Sequence, residues 1–435
     1  MNEFLLVIFI LIFFTYIGKI VIRVFGFLND FSDLDTIPFS FALGSAVCAF
    51  QLYLYSRLNI HWVVLYVVTP WLLFFVAIFI LKKELLIFRI RKFNKKLRLK
   101  DYVLIFFIFI LIGFVGFESA LRPLSAWDGW ASWLFKSKMF YIDGSIKASS
   151  IQYSQSDYPL LVSLIGTFIY IVFGKVNDTA VLLYFFGCYT MLGIGLFTQL
   201  KRRIGTTNAL LFTFLLLSLQ NLIRHGGRFE AGYADIPLAL YMFLSSALLY
   251  QFVKQKEIMT FILLQIFLGI TALIKNEGLF FSILAELFVL YFIFKTKKTN
   301  LLPVMLFWIT PIIDWNIFKY LYNVPQNFLL VNLQNHVHLD TFFSIIFEFS
   351  KEFINFQNWN ILWIVFFFSL TYSLFKRKTS IFYIFVLVQL LLYIIVFMIS
   401  PIDPVVHVKN IVDRLFIHVA PLAVFAVALT HYDKG

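Results

Sequence analysis

The chain has 435 residues, of which 61% are hydrophobic, 20% aromatic and only 14% charged, with a formal charge of +13. These proportions exclude a soluble globular domain. Apolar runs of about 20 residues, the length that crosses roughly 30 Å of hydrocarbon, recur along the sequence. The fold class is an all-α polytopic membrane protein; a lipid-exposed β-barrel would alternate apolar and polar residues instead. The cations lie in short segments between apolar runs, as orientation by positive cytoplasmic loops requires, so the charge needs no nucleic-acid partner. Cys48 and Cys188 both sit inside apolar runs and read as small buried hydrophobes, with no disulfide framework.

In chain order, Phe4 to Ile22 reads as a first span. It lacks the basic n-region and the small-residue cleavage site of a signal peptide, so a retained helix is expected. Ile37 to Leu54 and Trp62 to Leu81 follow. The most basic segment comes next, Lys82 to Lys100, with nine Lys or Arg and one Glu. It is placed in the cytoplasm, with contact to anionic lipid as its functional alternative. Tyr102 to Phe117 then crosses outward and delivers the segment 118–178 to the far side. Within it, Tyr158 to Phe173 is apolar but short. If it spans, Lys201, Arg202, Arg203 and every later basic loop fall outside. If it lies half-inserted on the outer face, all of them fall inside, and that reading is adopted. Further spans are expected near Thr179–Leu200, Asn208–Leu222, Ile236–Phe252, Met259–Ile274, Gly278–Phe294, Leu301–Tyr320, Ile361–Phe375, Ile381–Ile399 and Leu415–Leu429. The total is about thirteen, with the N-terminus outside and the C-terminus inside. Phe342–Phe356 mixes apolar residues with Glu348, Lys351 and Glu352 and suits an interfacial helix. No internal repeat is evident. Residues 1–100 read as three leading spans with a basic loop, and 101–435 as the core.

With this topology the unusual polar residues gather on the outer face. The loop after the fourth span carries Arg122, Trp127, Asp128, Trp130, Trp133, Lys136, Lys138, Asp157 and Tyr158. Later come Arg224, Arg228, Glu230 and Asp235; Lys275 and Glu277 at a tight turn; Asp314; and Asp403, His407, Asp413 and Arg414. Each has a plain structural alternative. The tryptophans suit an interfacial belt, Lys136 and Lys138 a solvated face, and Lys275 and Glu277 snorkelling turn charges. Gly226 and Gly227 suit loop punctuation more than a phosphate cradle. A belt leaves Asp128 unexplained, and Arg414 at the head of an apolar run needs a counter-charge, either Asp413 or a bound phosphate.

A carboxylate among cations suits attack by a hydroxyl on a carbon bearing a phosphate leaving group. Asp128 would take the proton, and Arg122, Lys136, Lys138 or Arg414 would neutralise the departing phosphate. Tryptophans beside the acid suit stacking on sugar rings. His407 has no metal-ligand spacing and no metal centre is assigned; a divalent cation held by Asp128 and a second acid stays open.

This layout resembles the GT-C class of integral-membrane glycosyltransferases, such as protein O-mannosyltransferases and aminoarabinose transferases. In that class an acid stands in the first large outer loop of the core, where Asp128 stands here. A short outer helix then opens on a His-Pro-Pro-Leu-like motif, and Asp157-Tyr158-Pro159-Leu160 is similar to it. Tyr233-Ala-Asp235-Ile-Pro237, Lys275-Asn276-Glu277-Gly278 and the stretch Asp403 to Arg414 also resemble segments of bacterial members. The loop has a lone Asp128 rather than Asp-x-Asp, and the three leading spans lie outside the pattern. The resemblance implies an inverting transferase on the outer face of a bacterial cytoplasmic membrane. Its donor would be a polyprenyl-phosphate sugar and its acceptor a glycan, lipid or protein. Asp128 would be the catalytic residue. The substrate-binding set would be Arg122, Trp127, Trp130, Lys136, Lys138, Asp157, Tyr158, Arg228, Glu230, Asp235, Lys275, Glu277, Asp403, His407 and Arg414. The competing readings are a flippase for lipid-linked sugars, disfavoured because no repeat is evident and the mid-span regions are mostly uncharged, and a polymerase or ligase of surface glycans.

Overall fold

The computed structural model describes residues 2–28, 31–87, 97–156, 158–325, 337–377, 379–400 and 403–432. These are helical nearly throughout. The first helices are α1 (Asn2–Val24), α2 (Asp33–Arg57), α3 (Val64–Lys82) and α4 (Leu99–Leu121). A π-helical turn, Gly129–Trp133, leads into α5 (Leu134–Asp143), followed by α6 (Ala148–Gln152) and α7 (Leu161–Phe173). Next are α8 (Asp178–Ile204), α9 (Thr206–Leu217), α10 (Gln220–Gly227), α11 (Asp235–Gln255), α12 (Ile258–Ala272) and α13 (Asn276–Lys295). The last are α14 (Leu306–Leu321), α15 (Phe342–Phe353), α16 (Phe356–Trp359), α17 (Leu362–Phe375), α18 (Ile381–Met398) and α19 (Pro404–Tyr432).

Among the described residues ten helices are long and apolar enough to cross a membrane, or eleven if α9 and α10, bent by 69° at their junction, count as one. The expected spans at 259–274 and 361–375 are present as the shorter helices α12, of 15 residues, and α17, of 14 residues. At 1.5 Å per residue these reach only about 22 Å.

Backbone hydrogen bonds closed within each helix are what the apolar surroundings demand, and close approach of helices needs small residues. In the α1–α2 pair, a Cβ on Gly18 would strike the Ser40 carbonyl, and one on Gly44 would strike the Phe14 carbonyl. The two backbones therefore touch where each lacks a side chain. Against this pair pack α7 and α8, while α11 and α19 run through the middle of the bundle and are its most enclosed long helices with α8.

The helix ends sort into two sets. At one end Asp33 of α2 meets Lys19 and Arg23 of α1, Asp35 meets Arg202 of α8, and Asp101 of α4 accepts from Thr207 of α9 at 2.5 Å. At the other end Glu118 of α4, Asp178 of α8, Asp235 of α11, Lys275 before α13 and Arg414 of α19 are gathered. The chain leaves α4 and enters α8 at this same end. Between them α5 and α7 lie side by side, tied by Ser137 Oγ to the Ser163 carbonyl at 2.8 Å, and neither carries the chain to the opposite end. This is the arrangement expected for a short α7 that does not span.

The expected span Asn208–Leu222 is broken between α9 and α10, and the largest shift of a boundary is in the last helix. The last helix begins at Pro404 rather than near Leu415, so Asp413 and Arg414 lie inside it. Asp403 Oδ1 accepts from the backbone nitrogens of Val405 and Val406 at 2.9 and 3.0 Å, and Pro404 occupies the first helical position. An aspartate N-cap followed by proline is a strong start signal.

Candidate active site

At the gathered end, four distant stretches of sequence meet around Arg414. Its Nη2 lies 2.7 Å from Asp128 Oδ2 and its Nε 3.0 Å from Asp235 Oδ2. The guanidinium plane rests over the Tyr233 ring, 4.0 Å from its centroid. Such a forked, stacked contact is specific to arginine. Asp128 sits at the mouth of the π-helical turn with its side chain 31% exposed, whereas Asp235 is fully buried. A buried carboxylate survives only if paired. Asp235 meets this condition with three partners: Arg414, Lys275 Nζ at 2.9 Å and His418 Nε2 at 2.8 Å.

Lys275 also reaches Glu277 Oε1 at 2.9 Å. Burial disfavours its ammonium, but Asp235 and Glu277 outweigh that and hold its pKa above the ordinary lysine value. The second Glu277 oxygen is buried with no hydrogen-bond partner among the described residues. The first turns of α11 and α13 both open here, adding the partial positive charge of helix N-termini. Tyr158 stands over the cluster, its ring 6.0 Å from Lys275 Nζ and 5.2 Å from the Trp133 ring. Trp127 and Trp130, on either side of Asp128, are exposed and touch edge to face at 4.5 Å.

The remaining expected site residues separate from this centre. Arg122 and Arg228 share Glu118, and both pack on Phe229. Glu230 pairs with Arg224 at 3.0 Å. His407 lies beside the cluster, with its ring edge on Phe397 and Nδ1 3.1 Å from Ser400. Three residues are occupied elsewhere. Lys136 is completely buried and donates to the Gln155 carbonyl at 2.7 Å, so it is no solvated phosphate ligand. Lys138 is paired with Asp178 at 2.8 Å. Asp403 caps α19. Asp157 falls outside the described residues.

His418 and Tyr393 were not anticipated. With Asp235 accepting from His418 Nε2, the ring's Nδ1 accepts from the Tyr393 hydroxyl at 2.9 Å, and both side chains are buried. The sequence carried one signal: His418 is four residues after Arg414, on the same helix face.

An apolar groove with a volume of about 240 Å³ leads away from the cluster, between α2, α7, α12 and α14. Its walls include Ala46, Ala49, Leu164, Ile270 and Pro311, and the exposed Phe50 and Phe307 flank it. Leu160 and Leu161 line its upper part just after Tyr158, as does Leu273 just before Lys275. Among the described residues no group of three or more His, Cys, Asp or Glu is placed to hold a metal ion.

No curated protein and no solved structure matches the chain. Residues 157–315 match the family model described as dolichyl-phosphate-mannose-protein mannosyltransferase. The matched segment contributes Tyr158, Asp235, Lys275 and Glu277 to the cluster, and the α7, α12 and α14 walls of the groove. By this match and its many apolar helices, the chain is similar to the GT-C type of membrane glycosyltransferase, and transfer of a sugar is the general activity that similarity supports.

Proposed function

We propose that the protein moves a sugar from a polyprenyl-phosphate donor to an acceptor hydroxyl, with inversion, at the outer face of the cytoplasmic membrane. The observation that carries this reading is Arg414 bridging Asp128 and Asp235, with Lys275 beside them, at the head of an apolar groove. The acceptor oxygen forms a bond to the anomeric carbon as the bond from that carbon to the phosphate oxygen breaks. The electron pair leaves with the polyprenyl phosphate, and the hydroxyl proton passes to Asp128. Asp128 Oδ1 has no partner among the described residues and belongs to a partly exposed side chain, so it is the oxygen available for the proton. Arg414 uses Nε and Nη2 on carboxylates, which leaves Nη1 to meet a phosphate oxygen. Lys275 and the N-termini of α11 and α13 add positive charge where phosphate charge grows.

The groove suits an isoprenoid tail, since its lining is apolar except for Asp314, which pairs with Arg57, and its edges lie on exposed hydrophobic helix surface. Ala46 and Phe50 of α2 help to form it, so the leading helices take part in holding the donor. The outer-face placement is supported by the basic segments Lys201–Arg203, Lys254–Lys256 and Lys295–Lys298, all at the end of the bundle opposite the cluster.

The test uses membranes containing the full chain and a labelled polyprenyl-phosphate sugar. Asp128→Asn is expected to lower release of polyprenyl phosphate by ~10²–10⁴-fold, the usual range for a lost general base. Full activity in Asp128→Asn removes the base assignment. Uptake of the donor into vesicles without bond cleavage would favour a flippase instead.

A further inference from the structure

Away from Arg414, the end of α4 carries a second concentration of positive charge. Arg122 and Arg228 both bond to one carboxylate, Glu118, which leaves one cation in excess. Each uses only Nε for this: Arg122 Nε and Arg228 Nε, the latter at 3.1 Å, both go to Glu118 Oε2. The Nη1 and Nη2 groups of both guanidiniums have no hydrogen-bond partner among the described residues. The side chains are 34% and 22% exposed, so these nitrogens are not sealed in protein. Phe229 holds the pair in place, its ring centroid 4.4 Å from Arg122 and 5.2 Å from Arg228. Stacking fixes the guanidinium planes and spares the entropy of ordering them on binding. Neither arginine touches Asp128, Asp235 or Arg414.

The helix beneath is apolar and open. Phe114, Phe117 and Leu121 of α4 are all exposed, and α4 is among the least enclosed of the membrane-length helices. The arginine pair thus stands where a bare hydrophobic helix ends at the gathered face. We propose that Arg122 and Arg228 form a second anion site, for the phosphate of a membrane lipid whose chains lie along α4. Two oriented forks with free N–H groups match the oxygens of a phosphate diester. The apolar face below matches the chains, and a soluble phosphate would make no use of it.

Glu118 gives the proposal a test of sign. The full chain is purified, and binding of phosphatidylglycerol is counted by native mass spectrometry against an uncharged diacylglycerol with the same chains. Wild type is expected to prefer phosphatidylglycerol. The double variant R122Q/R228Q is expected to bind it about tenfold more weakly, the loss of one charge-assisted contact set. Glu118→Gln removes the competing carboxylate and is expected to bind it several-fold more tightly. If the three residues form only a structural ion pair, Glu118→Gln and the arginine variants will move phosphatidylglycerol binding in the same direction or not at all, and the proposal is overturned. Should the double variant fail to fold, Arg122→Gln alone and Glu118→Gln still give opposite signs or refute it. Soluble glycerol 3-phosphate supplies the last arm. Displacement of the lipid at equal concentration would show a site for free phosphate and overturn the lipid assignment.

Discussion

At the scale of single residues, the site depends on the shape of Arg414 as much as on its charge. Nε and Nη2 serve two different carboxylates while the plane stacks on Tyr233, a geometry no ammonium reproduces. Arg414→Lys is therefore expected to keep the chain folded but to lower transfer more than tenfold, measured as initial rate at saturating donor. Arg414→Gln goes further, because it leaves Asp235 with a buried charge less well matched; breaking such a pair costs about 3–5 kcal/mol, read as a lower unfolding midpoint. Lys275 makes a prediction about pH. Its folded pKa is raised, so its contribution to stability is complete below the ordinary lysine value and is lost only as pH rises through the raised one. The drop in unfolding midpoint caused by Lys275→Met is expected to stay constant from about pH 6 to about pH 9, well below the ordinary lysine value of about 10.4. A gap that closes toward pH 9 would mean that Asp235 and Glu277 do not hold the proton on. The acids and cations were all visible in the sequence, but their pairing was not. Asp235 and Arg414 are 179 positions apart, and nothing local distinguishes Arg414, which bridges two acids, from Lys136, which is buried and donates to the Gln155 carbonyl.

At the scale of helices, hydropathy located the spans well because the physics is local: a run of apolar residues in lipid must close its own hydrogen bonds. It failed where a polar stretch is helical for other reasons. Residues 404–414 carry His407, Lys409, Asp413 and Arg414, so they read as loop, although the Asp403-Pro404 start signal was present. The short helix α7 is the reverse case, an apolar run that does not cross. Its sequence is as greasy as a span, and only the charge of distant loops argued against one. The structure returns the chain from α4 to α8 at one end of the bundle, so α7, buried along Leu161–Ile171, does not carry it across. This fixes an accessibility prediction. Val176, exposed in the loop after α7, and Lys297, exposed after α13, stand at opposite ends. The native Cys48 and Cys188 are buried and silent. An impermeant maleimide on intact cells is expected to label Val176→Cys and to spare Lys297→Cys until the membrane is opened. Labelling of Lys297→Cys alone would invert the molecule and put the cluster in the cytoplasm.

At the scale of the whole molecule, the proposed function poses one physical problem: a sugar would have to react in water while its carrier stays in lipid. The charged cluster and the apolar groove meet between Tyr158 and Leu160 on one side and between Leu273 and Lys275 on the other, so a phosphate and a hydrocarbon tail can each find a matched surface. If the groove holds the tail, filling it should act on donor binding and not on the chemical step. Ala46 faces the groove from α2, and a large side chain there would occupy space that a few isoprene units need. Ala46→Trp is expected to raise the KM for a long-chain polyprenyl-phosphate sugar about tenfold or more, since each buried methylene is worth roughly 0.8 kcal/mol. The kcat should change little, because the tail contributes equally to ground and transition states. A donor analogue with a tail too short to enter the groove should show nearly the same KM with Ala46→Trp as with wild type. Equal losses for both donors would mean that the substitution had distorted the helix bundle. A loss confined to kcat would mean that the tail lies elsewhere and that the cluster has been reached from another side.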